Sequence, residues 1–233
     1  MGSSEPETAQ FLVEFLRPGM VFWDVGAHIG EFSLLASQRV GASGRVDAFE
    51  PHPQLGDLIR GTIDANGLTN VEVHPYAVTD RSGTAEFFLD REPSVSHLLP
   101  SAGESKAASS VTVSTLLLDD FSRARSYTAD LIKVDVEGAE NLVLRGAQSL
   151  LQLPPEHAPV WITEFAPDNC TRYHYHPHQL LDEFSRHGYR NFSLTLSGLI
   201  SLQPGEPPAR DCLNFVSTKN EIRTSSHIAS GDT

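Results

Sequence analysis

Met20-Val21-Phe22-Trp23-Asp24-Val25 runs directly into Gly26-Ala27-His28-Ile29-Gly30, and this junction decides the fold. The first half is bulky, apolar and β-branched without strict alternation, which is how a strand covered on both faces of a parallel sheet reads. The second half is a glycine turn. Beyond it Phe32, Leu35, Ala36 and Val40 recur at helical spacing. A glycine directly after a parallel strand allows a tight turn and close backbone approach to a ligand, and the free N–H groups of the helix start attract a carboxylate or phosphate.

Outward from this junction the same rhythm repeats. Arg45–Glu50 is a second strand, Leu55–Asn66 a helix stopped by Gly67, and Val71–Val78 a third strand with Pro75 against its centre. Asp80–Gly83 turns into Thr84–Leu89, a hairpin-like extension, and residues 90–110 read as a loop able to serve as a lid. Val111–Phe121 reads as a helix or extended piece. Asp130–Val136 is a fourth core strand, Ala139–Leu151 a helix, Pro159–Phe165 a fifth strand and His178–His187 a helix. The final strands are Arg190–Leu196 and Cys212–Thr218. Upstream, Phe11–Leu16 ends a short amphipathic helix. Alternating strands and helices imply an α/β, Rossmann-like, doubly wound parallel sheet with an insertion around residues 80–112. One domain over 1–219 and a polar tail over 220–233 are expected.

Composition narrows the function classes. Thirty acidic against seventeen basic residues give a formal charge of −13, which argues against a nucleic-acid partner. No apolar run has the length of a membrane-spanning helix, and Met1–Gln10 lacks the features of a signal peptide. Cys170 and Cys212 form neither a disulfide framework nor a four-thiolate site, so a cytoplasmic setting is expected.

Glu50 closes the second strand, twenty-six residues after Asp24, where a carboxylate can accept both hydroxyls of a ribose. Asp24-x-Gly26-x-x-x-Gly30 lacks the middle glycine of a dinucleotide turn, which weighs against an NAD-dependent oxidoreductase. A nucleoside-binding domain without catalysis is the remaining alternative.

Taken with Phe49-Glu50-Pro51, Ala77-Val78-Thr79-Asp80, Ser82-Gly83, Glu164 and above all Lys133-Val134-Asp135-Val136-Glu137-Gly138-Ala139-Glu140, this turn resembles the FkbM methyltransferases. The resemblance spans roughly residues 20–200. It implies a seven-stranded class I methyltransferase fold, S-adenosylmethionine as cofactor and O-methylation of a small molecule, typically a sugar or natural product. By the same resemblance Asp24, Gly26, Ala27, His28, Gly30, Ser33, Glu50, Pro51, Ala77, Val78 and Asp135 bind the cofactor. Ser33 is expected near its carboxylate, Glu50 at the ribose, and Ala77 and Val78 beside the adenine. His28 stands where the family commonly has asparagine, and Glu31 where it has an aromatic residue.

An acceptor hydroxyl must lose its proton to a carboxylate, a histidine or a metal-bound base. Lys133, Asp135 and Glu137 alternate along the end of the fourth strand, with Glu164 at the end of the fifth. Asp135, Glu137 and Glu164 are therefore candidate catalytic residues. They are also candidate ligands for Mg²⁺ or another hard divalent ion. Asp135 and Glu137 equally suit a helix N-terminus. Lys133 is expected to pair with a carboxylate, and Glu140 to be structural. Tyr173–His178 offers three histidines for substrate contact or metal, although such loops are commonly solvated surface. The acidic strand ends suit a cationic sulfonium and a small acceptor that is not polyanionic.

Overall fold

A computed structural model describes residues 5–89, 97–98, 109–208 and 213–222. The expected strands are present and their order is informative. β1 (Val21–Val25) lies between β2 (Arg45–Phe49) and β7 (Leu131–Val134), with β3 (Val71–His74) outside β2 and β8 (Val160–Glu164) outside β7. These five pair in parallel. Beyond β8, β11 (Asn214–Thr218) runs antiparallel to both β8 and β9 (Arg190–Thr195). β10 (Gly198–Ser201) folds back on β9 as a hairpin, making eight strands where seven were expected. β10 is four residues long and its Ile200 is exposed, so it carries none of the buried periodicity that marks the other strands.

Pro75 divides the expected third strand. Lacking an N–H, it cannot continue a ladder. Val71–His74 stays in the main sheet, whereas β4 (Tyr76–Val78) joins a second sheet in the order β4-β6-β5. There β5 (Gly83–Leu89) pairs antiparallel with β6 (Ser109–Leu116), which resolves the ambiguous 111–121 stretch into a strand followed by α4 (Leu118–Arg125). Most of the lid candidate 90–110, Cys212 and the tail from residue 223 lie outside the described residues.

Helices cover both faces. α1 (Pro6–Phe15) and α2 (Glu31–Val40) pack Phe11, Leu12, Phe32 and Ala36 onto Phe22, Val46 and Leu131. α3 (Pro53–Ala65) adds Ile59 and Ile63. On the other face Trp23, Phe49, Ile132 and Trp161 meet Phe121 of α4, Val143 and Leu144 of α5 (Glu140–Arg145), Leu150 of α6 (Gln148–Leu151) and Phe184 of α8 (His178–Arg186). The expected helix 139–151 is thus two. Asp119 draws them apart: its N–H bonds the Gly146 carbonyl and its carboxylate caps Ser149 and Leu150 at 2.8 and 3.1 Å. Among the described residues no helix is long and apolar enough to cross a membrane.

Candidate active site

Alternation along β1 and β7 turns Asp24 and Lys133 towards α2, away from Trp23 and Ile132. Past the strand ends the chain opens a cavity of about 380 Å³, within the range of small-molecule sites. Gly26 makes this opening possible. Its φ is +82°, and a Cβ there would lie 1.8 Å from the Asp135 carbonyl oxygen. The two loops cross in direct backbone contact because that atom is missing.

His28 follows with φ +52°. Histidine and asparagine both tolerate this left-handed region better than most residues, so the departure from the commoner asparagine preserves the backbone. His28 is half-buried at the cavity wall, and burial lowers its pKa.

Glu50 is 5% exposed and lines the cavity. Its two oxygens accept the His52 and His28 N–H groups at 2.7 and 2.8 Å. Each oxygen keeps a second lone pair, which is what two vicinal hydroxyls require. Burial pushes its pKa up to about 7, against those N–H bonds and with some help from the Asp24 charge. A hydroxyl-bearing cation fits here.

Across the cavity stands a second acidic wall. Lys133 is 2% exposed, bonds Asp135 at 2.8 Å and sits 4.9 Å from the centre of the Phe32 ring. Burial disfavours its charge, but Asp135, Glu5 and Asp24 together hold it protonated, above the ordinary lysine range. Glu137 adopts φ +54°, a conformation that costs an ordinary residue about 1 kcal/mol or more. The strain is fixed from both sides. Gly138 leaves no room for a side chain, since a Cβ would lie 2.4 Å from the Asn169 carbonyl oxygen, and Asn169 Nδ2 donates to Glu137 Oε2 at 2.8 Å. Burial, then the charges of Asp135 and Glu140, raise the Glu137 pKa to about 7. Glu164 ends β8. Its Oε2 is shielded from solvent and has no hydrogen-bond partner among the described residues. Burial and the neighbouring carboxylates push its pKa well up.

Of the residues expected from the sequence, Gly26, Ala27, His28, Glu50, Pro51, Ala77, Val78, Asp135, Glu137 and Glu164 all line this one cavity. Asp24, Gly30 and Ser33 do not. The Ser33 hydroxyl, expected beside a ligand carboxylate, is buried and donates to Asp24 Oδ2 at 2.6 Å, so it braces the wall from behind. Asp135, Glu137 and Glu164 share the wall, but their ligand atoms are not gathered as one ion's set. Among the described residues only Asp47, Glu72 and His74 come that close, within 4.8 Å. Glu140 is structural as expected, accepting the Val136 and Gly138 N–H groups and the Tyr175 hydroxyl. None of Tyr173–His178 lines the cavity. His176 and His178 face each other at 2.8 Å on the surface, while Tyr173 accepts the N–H of the lining residue Leu98. Sequence reasoning missed Glu5, which reaches the cavity from the start of α1, and the pair His97–Leu98. For Glu5 the acidic residue before Pro6 was the only local signal.

Comparisons with known proteins agree with this geometry. A model of the methyltransferase FkbM domain matches residues 24–191. Hexuronic acid methyltransferase AglP of Haloferax volcanii is 30% identical over 151 residues, 64% of this chain and 58% of that protein, so the chain spans less than two thirds of this relative. The crystal structure of methyltransferase FkbM from Methylobacillus flagellatus gives a TM-score of 0.51 at 17% identity, covering 90% of this chain and 50% of that one. Precorrin-6y C5,15-methyltransferase of Geobacter metallireducens gives 0.51 at 15% identity over 94% of this chain and 93% of that one. The structural likenesses speak for the fold alone.

Proposed function

The chain belongs to the FkbM family of S-adenosylmethionine-dependent methyltransferases, and from that premise we propose that it methylates a hydroxyl of a small molecule, a sugar or an antibiotic-type natural product. The observation that carries this reading is one cavity lined by two carboxylates, Glu50 held by two backbone N–H groups and Glu137 held by Asn169, the first suited to ribose hydroxyls and the second to an acceptor proton. When bound, S-adenosylmethionine supplies an electrophilic methyl group. Gly26, Ala27, Glu50 and Pro51 would hold it, with Ala77 and Val78 at the adenine.

The remaining work falls to the protein. Methyl transfer to oxygen needs the acceptor held in line and relieved of its proton. Glu137 is suited to the second task, because a base titrating near 7 is half ionised at neutral pH and still basic enough to take a hydroxyl proton. Its strained backbone and the Asn169 bond fix one oxygen and leave the other for the acceptor. Asp135 is spent on Lys133, and the pair fixes the floor between the two walls. The AglP relative acts on a hexuronic acid by name, which supports a saccharide acceptor here. The acidic walls argue against a polyanion.

A divalent cation held by Asp135, Glu137 and Glu164 is the second reading: burial and then neighbouring carboxylate charges raise Glu137 and Glu164, a cost a cation would relieve, but the three would have to draw together to share it. Product assays with labelled S-adenosylmethionine over a panel of sugars and macrolides test the reaction. Activity lost to EDTA and regained with Mg²⁺ selects the metal, and activity indifferent to EDTA selects the base. Thermal stabilisation by NADH and not by S-adenosylhomocysteine would remove the methyltransferase reading altogether.

A further inference from the structure

The charges around the cavity are unbalanced in a way that bears on the acceptor. Glu5, Glu31, Glu50, Asp135, Glu137 and Glu164 line it, and Lys133 is the one lysine or arginine among the described lining residues. That cation is already committed to Asp135 and to the face of Phe32. The carboxylates are not equivalent. Glu50 is satisfied by two backbone N–H groups, and Glu137 has Asn169. Glu164 alone of these acids sits at a strand end with its Oε2 shut off from water and no donor upon it. A buried carboxylate oxygen without a donor is costly; the free protein meets that cost by holding a proton there, and a cationic ligand that brings N–H donors can take the proton's place.

We propose that the acceptor carries a protonated amine, as an amino sugar does, and that Glu164 receives its ammonium group. This inference rests on the methyl-transfer reading and narrows it to a substrate class. An ammonium brings three N–H donors and a positive charge to the place that lacks both. A neutral sugar brings a hydroxyl donor without the charge. A uronate brings another negative charge into a cavity with no free lysine or arginine among its described lining residues, so the acid named for the AglP relative is a poor fit to this chain even where the saccharide class is shared. Glu164 is thus a specificity residue, set at the end of β8 while Glu137 acts from the end of β7.

Calorimetric titration of the full chain saturated with S-adenosylhomocysteine tests this, with D-glucosamine, N-acetyl-D-glucosamine, D-glucose and D-glucuronate as probes. Glucosamine is expected to bind about tenfold or more tightly than glucose, the scale of a charged hydrogen bond. N-acetylglucosamine, which keeps the ring and loses the charge, is expected to fall back to the glucose level, and glucuronate to bind weakest. Glu164→Gln is expected to erase the glucosamine preference while S-adenosylhomocysteine affinity stays within about twofold, since the cofactor is held from the opposite wall. Four results overturn the proposal: glucosamine no tighter than glucose, whether or not either binds; N-acetylglucosamine as tight as glucosamine; glucuronate the tightest; or a preference that survives Glu164→Gln. A variant that loses cofactor affinity instead assigns Glu164 to the cofactor and overturns it equally. Failure of wild-type protein to bind S-adenosylhomocysteine at all is a different failure, that of the methyl-transfer reading itself.

Discussion

Two clusters of acidic side chains among the described residues have opposite electrostatic fates. On the outer strands, Asp47 accepts the His74 ring at 2.9 Å and the Tyr127 hydroxyl at 2.9 Å, and Arg45 lies 3.2 Å from it. Arg45 and Arg125 both bond Glu72. Burial pushes both acids up, yet the donors and guanidinium charges win, and Asp47 and Glu72 end below their ordinary pKa values. At the cavity the balance is reversed. Burial and like charge win, and Glu137 and Glu164 end above theirs. The outer trio is the one whose ligand atoms are close enough for a metal ion, but two arginines already supply its counter-charge. Proximity of acids therefore says little by itself. What separates a structural cluster from a working one is whether the protein supplies the compensating charge or leaves it to a ligand.

Substitutions sharpen the contrast, the largest expected effect first. Glu137→Gln removes the base and is expected to lower kcat by about 10²–10⁴, with S-adenosylhomocysteine affinity within about twofold by calorimetry. Asp135→Asn strips a buried ammonium of its bonded partner. Denaturant unfolding is expected to show a loss of about 3 kcal/mol, the lower end for a broken buried pair because Glu5 and Asp24 remain near. Glu50→Gln forfeits a charged acceptor for two hydroxyls and is expected to weaken S-adenosylhomocysteine about tenfold to a hundredfold. Glu72→Gln, in the compensated cluster and 43% exposed, is expected to cost about 1 kcal/mol or less and to leave kcat unchanged. Equal losses of turnover at Glu72 and Glu137 would break the distinction.

pH separates the clusters in another way. Glu50 and Glu137 hold their protons more tightly folded than unfolded, so the stability they contribute is complete below about 4.5 and lost as pH rises through about 7. Asp47 and Glu72 do the reverse, contributing stability above their ordinary pKa values and losing it on acidification. Turnover runs against the cavity acids' contribution. A base near 7 must be ionised, so kcat/KM is expected to rise with pH through that value, and the limb is expected to vanish in Glu137→Gln.

Much of this was legible from the chain. The strands β1, β2, β7 and β8 are predominantly apolar, and Glu50, Asp135, Glu137 and Glu164 at the ends of β2, β7 and β8 reach the cavity because the ends of parallel strands share one edge. Pro75 was readable as a break, though not as a change of sheet. β10 escaped because four residues at a sheet edge carry no buried pattern. Ser33 went astray because helical spacing gives a direction but not whether a buried acid such as Asp24 intercepts the hydroxyl. The outer cluster was marked only by Arg45/Asp47 and Glu72/His74, charged pairs at period two within apolar strands, a signal visible in hindsight. Glu5 had little beyond its place before Pro6 to announce it, since Lys133 and Asp135, the charges that act on it, lie more than a hundred residues away in sequence.

The most direct measurement is a ¹³C-carboxyl NMR titration of the ligand-free protein, repeated with S-adenosylmethionine. Glu137 is expected to titrate near 7 and to move down when the cationic cofactor enters, while Glu72 titrates below the ordinary glutamate value and stays put. A Glu137 that titrates as an ordinary surface glutamate, indifferent to the cofactor, would contradict the account.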